Sequence, residues 1–138
     1  MVNLLIGEKG SGKTQRMIEK ANEVIKASEG NVFFIKKTHR DTYSLSFNVR
    51  VVCMDDYDTI CNPDKFVGFI YGMTSANHDI QAVFMDGICK YAGINMENLP
   101  YIVENLNRIA SDCNIDFYVS LSATQEEVAG LENCTVLA

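Results

Sequence analysis

Eight consecutive residues, Gly7-Glu8-Lys9-Gly10-Ser11-Gly12-Lys13-Thr14, combine three glycines, two lysines and two hydroxyls at the spacing G-x-x-x-x-G-K-[ST]. Each residue type serves one kind of chemistry. Gly7, Gly10 and Gly12 let the backbone turn sharply and approach a polyphosphate with no Cβ in the way. The backbone N–H groups of such a turn, those of Glu8, Lys9 and Ser11 included, point inward and make an anion-binding concavity. A helix that starts at Lys13 adds its free N–H groups and its dipole. Lys13 then brings a point charge to the β- and γ-phosphate oxygens, and the Thr14 hydroxyl is suited to Mg²⁺.

Such a loop works only between a strand and a helix. Residues 2–6 are apolar and read as a buried strand. From residue 13 to about 28, Met17, Ala21, Val24 and Ser28 recur at helical spacing, with Gly30 and Asn31 as the stop. Further strands are expected at 31–35, 49–53, 80–85, 115–121 and 134–137, and residues 36–47 are expected to be loop. Asn62-Pro63-Asp64 opens a helix that runs to about Ala76, with Phe66, Phe69, Ile70 and Met73 as its apolar stripe. Gly68 and Gly72, one turn apart, predict close packing against a neighbour. A helix over about 96–112 carries Ile102, Leu106, Ile109 and Cys113, and Thr124 with Glu127 suggests a capping box. Strands alternating with helices predict a three-layer α/β/α fold with a mainly parallel sheet of five to six strands, in one domain over residues 1–138. Ligands of such sheets lie beyond the carboxyl ends of the strands.

That rule selects the remaining candidates. Asp86 directly follows the apolar run 81–85 and is placed to help hold Mg²⁺ near Thr14. The next residue, Gly87, offers no carboxylate to orient an attacking water. Asp55 and Asp56, just past the third strand, are the substitutes for that task, or else a turn with a helix cap. Ser120 and Ser122 end the fifth strand, either sensing a γ-phosphate or bonding backbone as buried hydroxyls. Lys36, Lys37, His39 and Arg40 follow the second strand, as phosphate or partner contacts or as a solvated loop. His78 reads as a helix-end residue, and Tyr43, Tyr57 and Tyr71 as scattered core or rim aromatics.

A net charge of −6 argues against a sequence-blind grip on nucleic acid, without excluding a local basic patch. Five scattered cysteines without C-x-x-C spacing read as small buried apolar residues of a reduced compartment, not zinc ligands or a disulfide set. With no leader and no stretch of membrane-spanning length, a cytoplasmic location is expected and a membrane partner is not.

On the run 7–14 and on Val83-Phe84-Met85-Asp86, the chain resembles the P-loop NTPase superfamily. It looks most like small stand-alone ATP-binding proteins of Gram-positive anaerobes, sometimes labelled twitching-motility-type ATPases. The resemblance implies that residues 7–14 bind a nucleoside triphosphate, that Thr14 and Asp86 hold Mg²⁺, and that Lys13, Asp86, Asp55 and Asp56 are the candidate catalytic groups. The guanine-specificity run [NT]-K-x-D is missing, so ATP is the expected nucleotide by elimination. Three functions fit: a weak or partner-activated ATPase, a small-molecule or nucleoside kinase, and a nucleotide-dependent module that engages a protein partner without turnover.

Overall fold

Because successive side chains of a strand face opposite ways, the apolar strands feed two cores, one on each side of the sheet. The computed structural model describes residues 1–40 and 44–137; Tyr43 and part of the expected 36–47 loop lie outside the described residues. The strands are β1 (Val2–Gly7), β2 (Asn31–Lys36), β3 (Arg50–Cys53), β4 (Ile80–Met85), β5 (Asp116–Ser122) and β6 (Cys134–Leu137). They form one sheet in the order β3-β2-β4-β5-β1-β6, with every strand pair parallel. The helices are α1 (Lys13–Ala27), α2 (Pro63–Ala76), α3 (Leu99–Cys113) and the short α4 (Gln125–Val128).

Helix α1 covers one face. Its Met17, Ile18 and Ala21 pack on Leu5, Val32, Phe34, Ala82 and Phe84. On that face Phe34, Phe84 and Tyr118 stack across three strands, with centroids 6.0 and 4.5 Å apart. Helices α2 and α3 cover the other face. Their Phe66, Ile70, Ile102 and Leu106 join Leu4, Ile6, Ile35, Val83, Met85, Phe117 and Val119. The result is the expected three-layer α/β/α architecture, with six strands.

Local signals hold where side-chain chemistry sets them. The Asn62 side chain accepts from Lys65 N at 2.9 Å and caps α2. Thr124 and Glu127 make a reciprocal capping box. Helix α3 starts at Leu99, later than expected. An Asx-type turn, in which Asn95 Oδ1 accepts from Glu97 N and Asn98 N, holds the chain out of the helix until then.

Two expectations are corrected. Gly68 and Gly72 are exposed, and a Cβ at either would meet nothing within 4 Å, so among the described residues no element packs closely there. Of the five free cysteines only Cys53 is buried; Cys61, Cys89 and Cys113 are exposed and Cys134 is half-buried. Cys113 closes α3 on its solvent side and does not extend the core stripe. Among the described residues no helix is long and apolar enough to cross a membrane.

Candidate functional site

Parallel strands in register bring their carboxyl ends to one edge of the sheet. Gly7 pairs with Ser122, Leu5 with Ser120, Met85 with Val119, and Ile35 with Met85. Strand β5 therefore lies between β1, which leads into the glycine-rich loop, and β4, which leads into Asp86. The loop between β1 and α1 is shaped by Gly10 at φ 81° and Gly12 at φ 87°, left-handed values that L side chains rarely adopt. Gly12 is also the N-cap of α1 and carries no side-chain cap, so the first N–H groups of the helix stay open toward the loop.

The structure brings Lys13, Thr14, Asp86 and Ser120 together. Thr14 Oγ1 donates to Asp86 Oδ2 at 2.9 Å, and Ser120 Oγ donates to Asp86 Oδ1 at 2.8 Å. Ser120 Oγ in turn accepts from Gly87 N at 2.8 Å. The buried Ser120 hydroxyl thus bonds both backbone and Asp86, fixing the carboxylate toward Thr14. Lys13 Nζ donates to Glu8 O at 2.7 Å and Gly7 O at 3.2 Å, arching over the loop. Partial burial, then the neighbouring Lys90 ammonium, push the Lys13 pKa below its ordinary value, while Asp86 acts in the other direction.

These groups border a cleft of about 530 Å³ at the carboxyl edge of the sheet. A smaller cleft of about 160 Å³ adjoins it, sharing Thr14, Asp86 and Lys90 and lined otherwise by Lys36, the last residue of β2, and by Lys37, Thr38 and Arg40 from the loop that follows. Lys9, Lys13, Lys36, Lys37, Arg40 and Lys90 all face the two clefts, and Asp86 is the sole carboxylate among the described lining residues. In a chain of net charge −6, this concentrates cations at one edge of the sheet, where they can balance a polyanion. A third cleft, of about 510 Å³, lies between α3 and residues 130–133, away from the strand ends. Size alone does not separate it from the first; charge and hydroxyl chemistry do.

Asp55 and Asp56 line none of these clefts, and Asp55 borders a neighbouring one of about 270 Å³ together with Lys90. They sit in a 3₁₀ turn, Met54–Asp56, after β3. Asp55 pairs with Lys37 at 3.2 Å, and Asp56 meets His39 Nε2 at 2.9 Å. Of the basic loop, Lys36, Lys37 and Arg40 face the site and His39 turns away to Asp56. Lys36 Nζ also donates to Arg40 O, which closes the loop on itself. His78 meets Ser75 O at the end of α2, and Tyr57 and Tyr71 are exposed.

Lys90 also lines the site, although no sequence motif marks it. A 3₁₀ turn, Ile88–Lys90, closed by Lys90 N donating to Gly87 O at 2.9 Å, curls it back beside Lys13. Gly87 has φ 63°, and a Cβ there would stand 3.0 Å from Lys90 Cδ. A side chain at 87 would be strained in this left-handed backbone and would press on the flexible Lys90 side chain. Gly87→Ala is expected to lower stability by about 1–2 kcal/mol, measurable as a fall in the urea midpoint; an unchanged midpoint would refute the strain. Ser120→Ala, which leaves the Gly87 N–H without its partner, is expected to cost about 1–3 kcal/mol. Its check is the same unfolding curve.

No family model matches the chain, and no curated protein matches it in sequence.

Proposed function

We propose that the chain binds a nucleoside triphosphate with Mg²⁺, most simply ATP, on residues 7–14 and releases the γ-phosphate slowly, as a P-loop NTPase. The observation that carries this reading is the 2.9 Å contact between Thr14 Oγ1 and Asp86 Oδ2, made by elements whose strands are separated by β5. A hydroxyl and a carboxylate at that distance are hard oxygen donors, which suits Mg²⁺. When bound, Mg²⁺ supplies positive charge that neutralises the β- and γ-phosphate oxygens.

The chain's own residues do the rest. The loop amides other than Ser11 N, which donates to Glu8 O at 3.1 Å, and the start of α1 cradle the phosphates. Lys13 exchanges its bonds to the Gly7 and Glu8 carbonyls for phosphate oxygens. Lys90 adds a second cation where charge develops during transfer. Ser120 holds Asp86 in the rotamer that faces Thr14. With Asp86 the sole carboxylate on the described lining, and engaged by two hydroxyls, no second carboxylate there orients an attacking water. Turnover is therefore slow in the isolated chain. The basic cleft formed by Lys36, Lys37 and Arg40 beside Asp86 favours a second reading, transfer of the γ-phosphoryl to an anionic acceptor.

Equilibrium titration with ATP, ADP and AMP, each with Mg²⁺ and with EDTA, tests the reading. ATP and ADP should bind at least about tenfold more tightly than AMP, a difference of about 1.4 kcal/mol, and Mg²⁺ should strengthen ATP. Equal affinity for all three, insensitive to Mg²⁺, would remove the phosphate site from the account.

A further inference from the structure

We propose that His39, Cys53 and Asp56 form a binding site for a transition-metal cation of the Zn²⁺ class, which fastens the loop after β2 to the end of β3. This site is separate from the Thr14–Asp86 pair and does not depend on the nucleotide reading.

One ligand atom from each of the three residues lies within 4.8 Å of the others. Their backbones are already set by the sheet. Lys36 pairs with Cys53 in the β2–β3 ladder, and Asp55 N donates to Lys37 O at 3.0 Å just beyond it. The two segments thus meet independently of any side chain, with His39 on one and Cys53 and Asp56 three residues apart on the other. Cys53 Sγ stands 3.3 Å from His39 Nδ1. With Zn–S about 2.3 Å and Zn–N about 2.0 Å, that edge subtends about 100° at an ion, close to tetrahedral. The Asp56 carboxylate now meets the opposite ring nitrogen, with oxygens 3.0 and 2.9 Å from Nε2. For all three to ligate one ion, the half-exposed Asp56 side chain must leave Nε2 and turn toward the Cys53 edge.

The donor set decides the class of metal. Thiolate, imidazole and carboxylate together suit Zn²⁺ or Co²⁺ and disfavour Mg²⁺, which takes oxygen ligands and keeps its water. With three protein ligands and an exposed side, water fills the remaining position. The thiol proton leaves to solvent as the metal binds. Of the nearby cations, Lys37 is paired with Asp55 and Lys36 donates to Arg40 O, so each has an acceptor of its own.

The test uses the full chain after chelator treatment and reduction, without nucleotide. Co²⁺ is titrated and read by its thiolate-to-metal charge-transfer absorption, then displaced with Zn²⁺. One equivalent should develop the band, Mg²⁺ should not compete, and His39→Ala should lower Co²⁺ affinity at least about tenfold. Cys53→Ser should abolish the band. Because Cys53 is buried, the exposed His39→Ala variant, checked by circular dichroism, keeps the test decisive if the serine variant fails to fold. A triple Cys61→Ser, Cys89→Ser, Cys113→Ser variant should retain the band. Absence of a band at one equivalent, or a band of undiminished affinity in folded His39→Ala, overturns the proposal. Neither result touches the phosphate site, which is read by nucleotide binding alone.

Discussion

Lys13→Ala is expected to weaken Mg²⁺–ATP binding by about 100-fold or more, about 2.7 kcal/mol, while the fold stays intact. The size follows from the side chain's position. The Lys13 amine is only partly buried and bonds two carbonyls of its own loop, those of Gly7 and Glu8. It packs into neither core, so its removal opens no cavity. On the proposed reading, the substitution loses charge-assisted bonding to phosphate, about 1.5–3 kcal/mol per bond. The flanking Lys90 is a neighbour but not a replacement, since it comes from a different turn. Calorimetric titration of both proteins measures the affinity, and circular dichroism with thermal melting confirms the fold. A folded variant that binds as well as the parent would show that the loop is not the phosphate site.

Asp86→Asn is expected to abolish most of the Mg²⁺ dependence and to slow phosphate release at least about 100-fold, a loss within the several kcal/mol that metal assistance supplies. The substitution keeps the shape of the side chain and one oxygen acceptor for the Thr14 or Ser120 hydroxyl. It removes the negative charge that complements the cation and one of the two acceptors. Binding of ATP in EDTA should be almost unchanged, because the amides and Lys13 carry that part. The Gly87 N–H keeps its bond to Ser120 Oγ, so the turn that positions Lys90 should survive. Titrations with and without Mg²⁺, together with phosphate-release kinetics, check these points. A variant with the parent's Mg²⁺ response would place the metal elsewhere.

The turn geometry of the glycine-rich loop was legible because Gly10 and Gly12 take left-handed backbone values that few other residues adopt. The strands were legible because those buried on both faces carry nearly unbroken apolar runs, and Asn62 and Thr124 because their caps are local chemistry. What eluded sequence reading depends on where a turn sends a side chain. Lys90 reaches the site only because Gly87 adopts a left-handed conformation and the chain curls back after Asp86. Asp55 and Asp56 follow a strand end, as expected of site residues, but β3 is the outermost strand on its side of the sheet. From there they reach Lys37 and His39. The spacing of Gly68 and Gly72 resembled a packing notch, yet that side of α2 faces solvent, because Phe66, Val67 and Ile70 already point its other side to the core. Cysteine composition says nothing about side-chain direction, which set the burial of Cys53 apart from that of the others.

The central claim is that a polyphosphate binds at the carboxyl edge of the sheet. Its most direct test is a two-dimensional ¹H–¹⁵N amide map of the labelled chain, titrated with Mg²⁺–ATP. Saturable shifts are expected in the amides of residues 8–14 and 86–90, with smaller ones in residues 36–40. Shifts confined to α3 and residues 130–133, where the other large cleft lies, or no shifts at all in the folded protein, would contradict it.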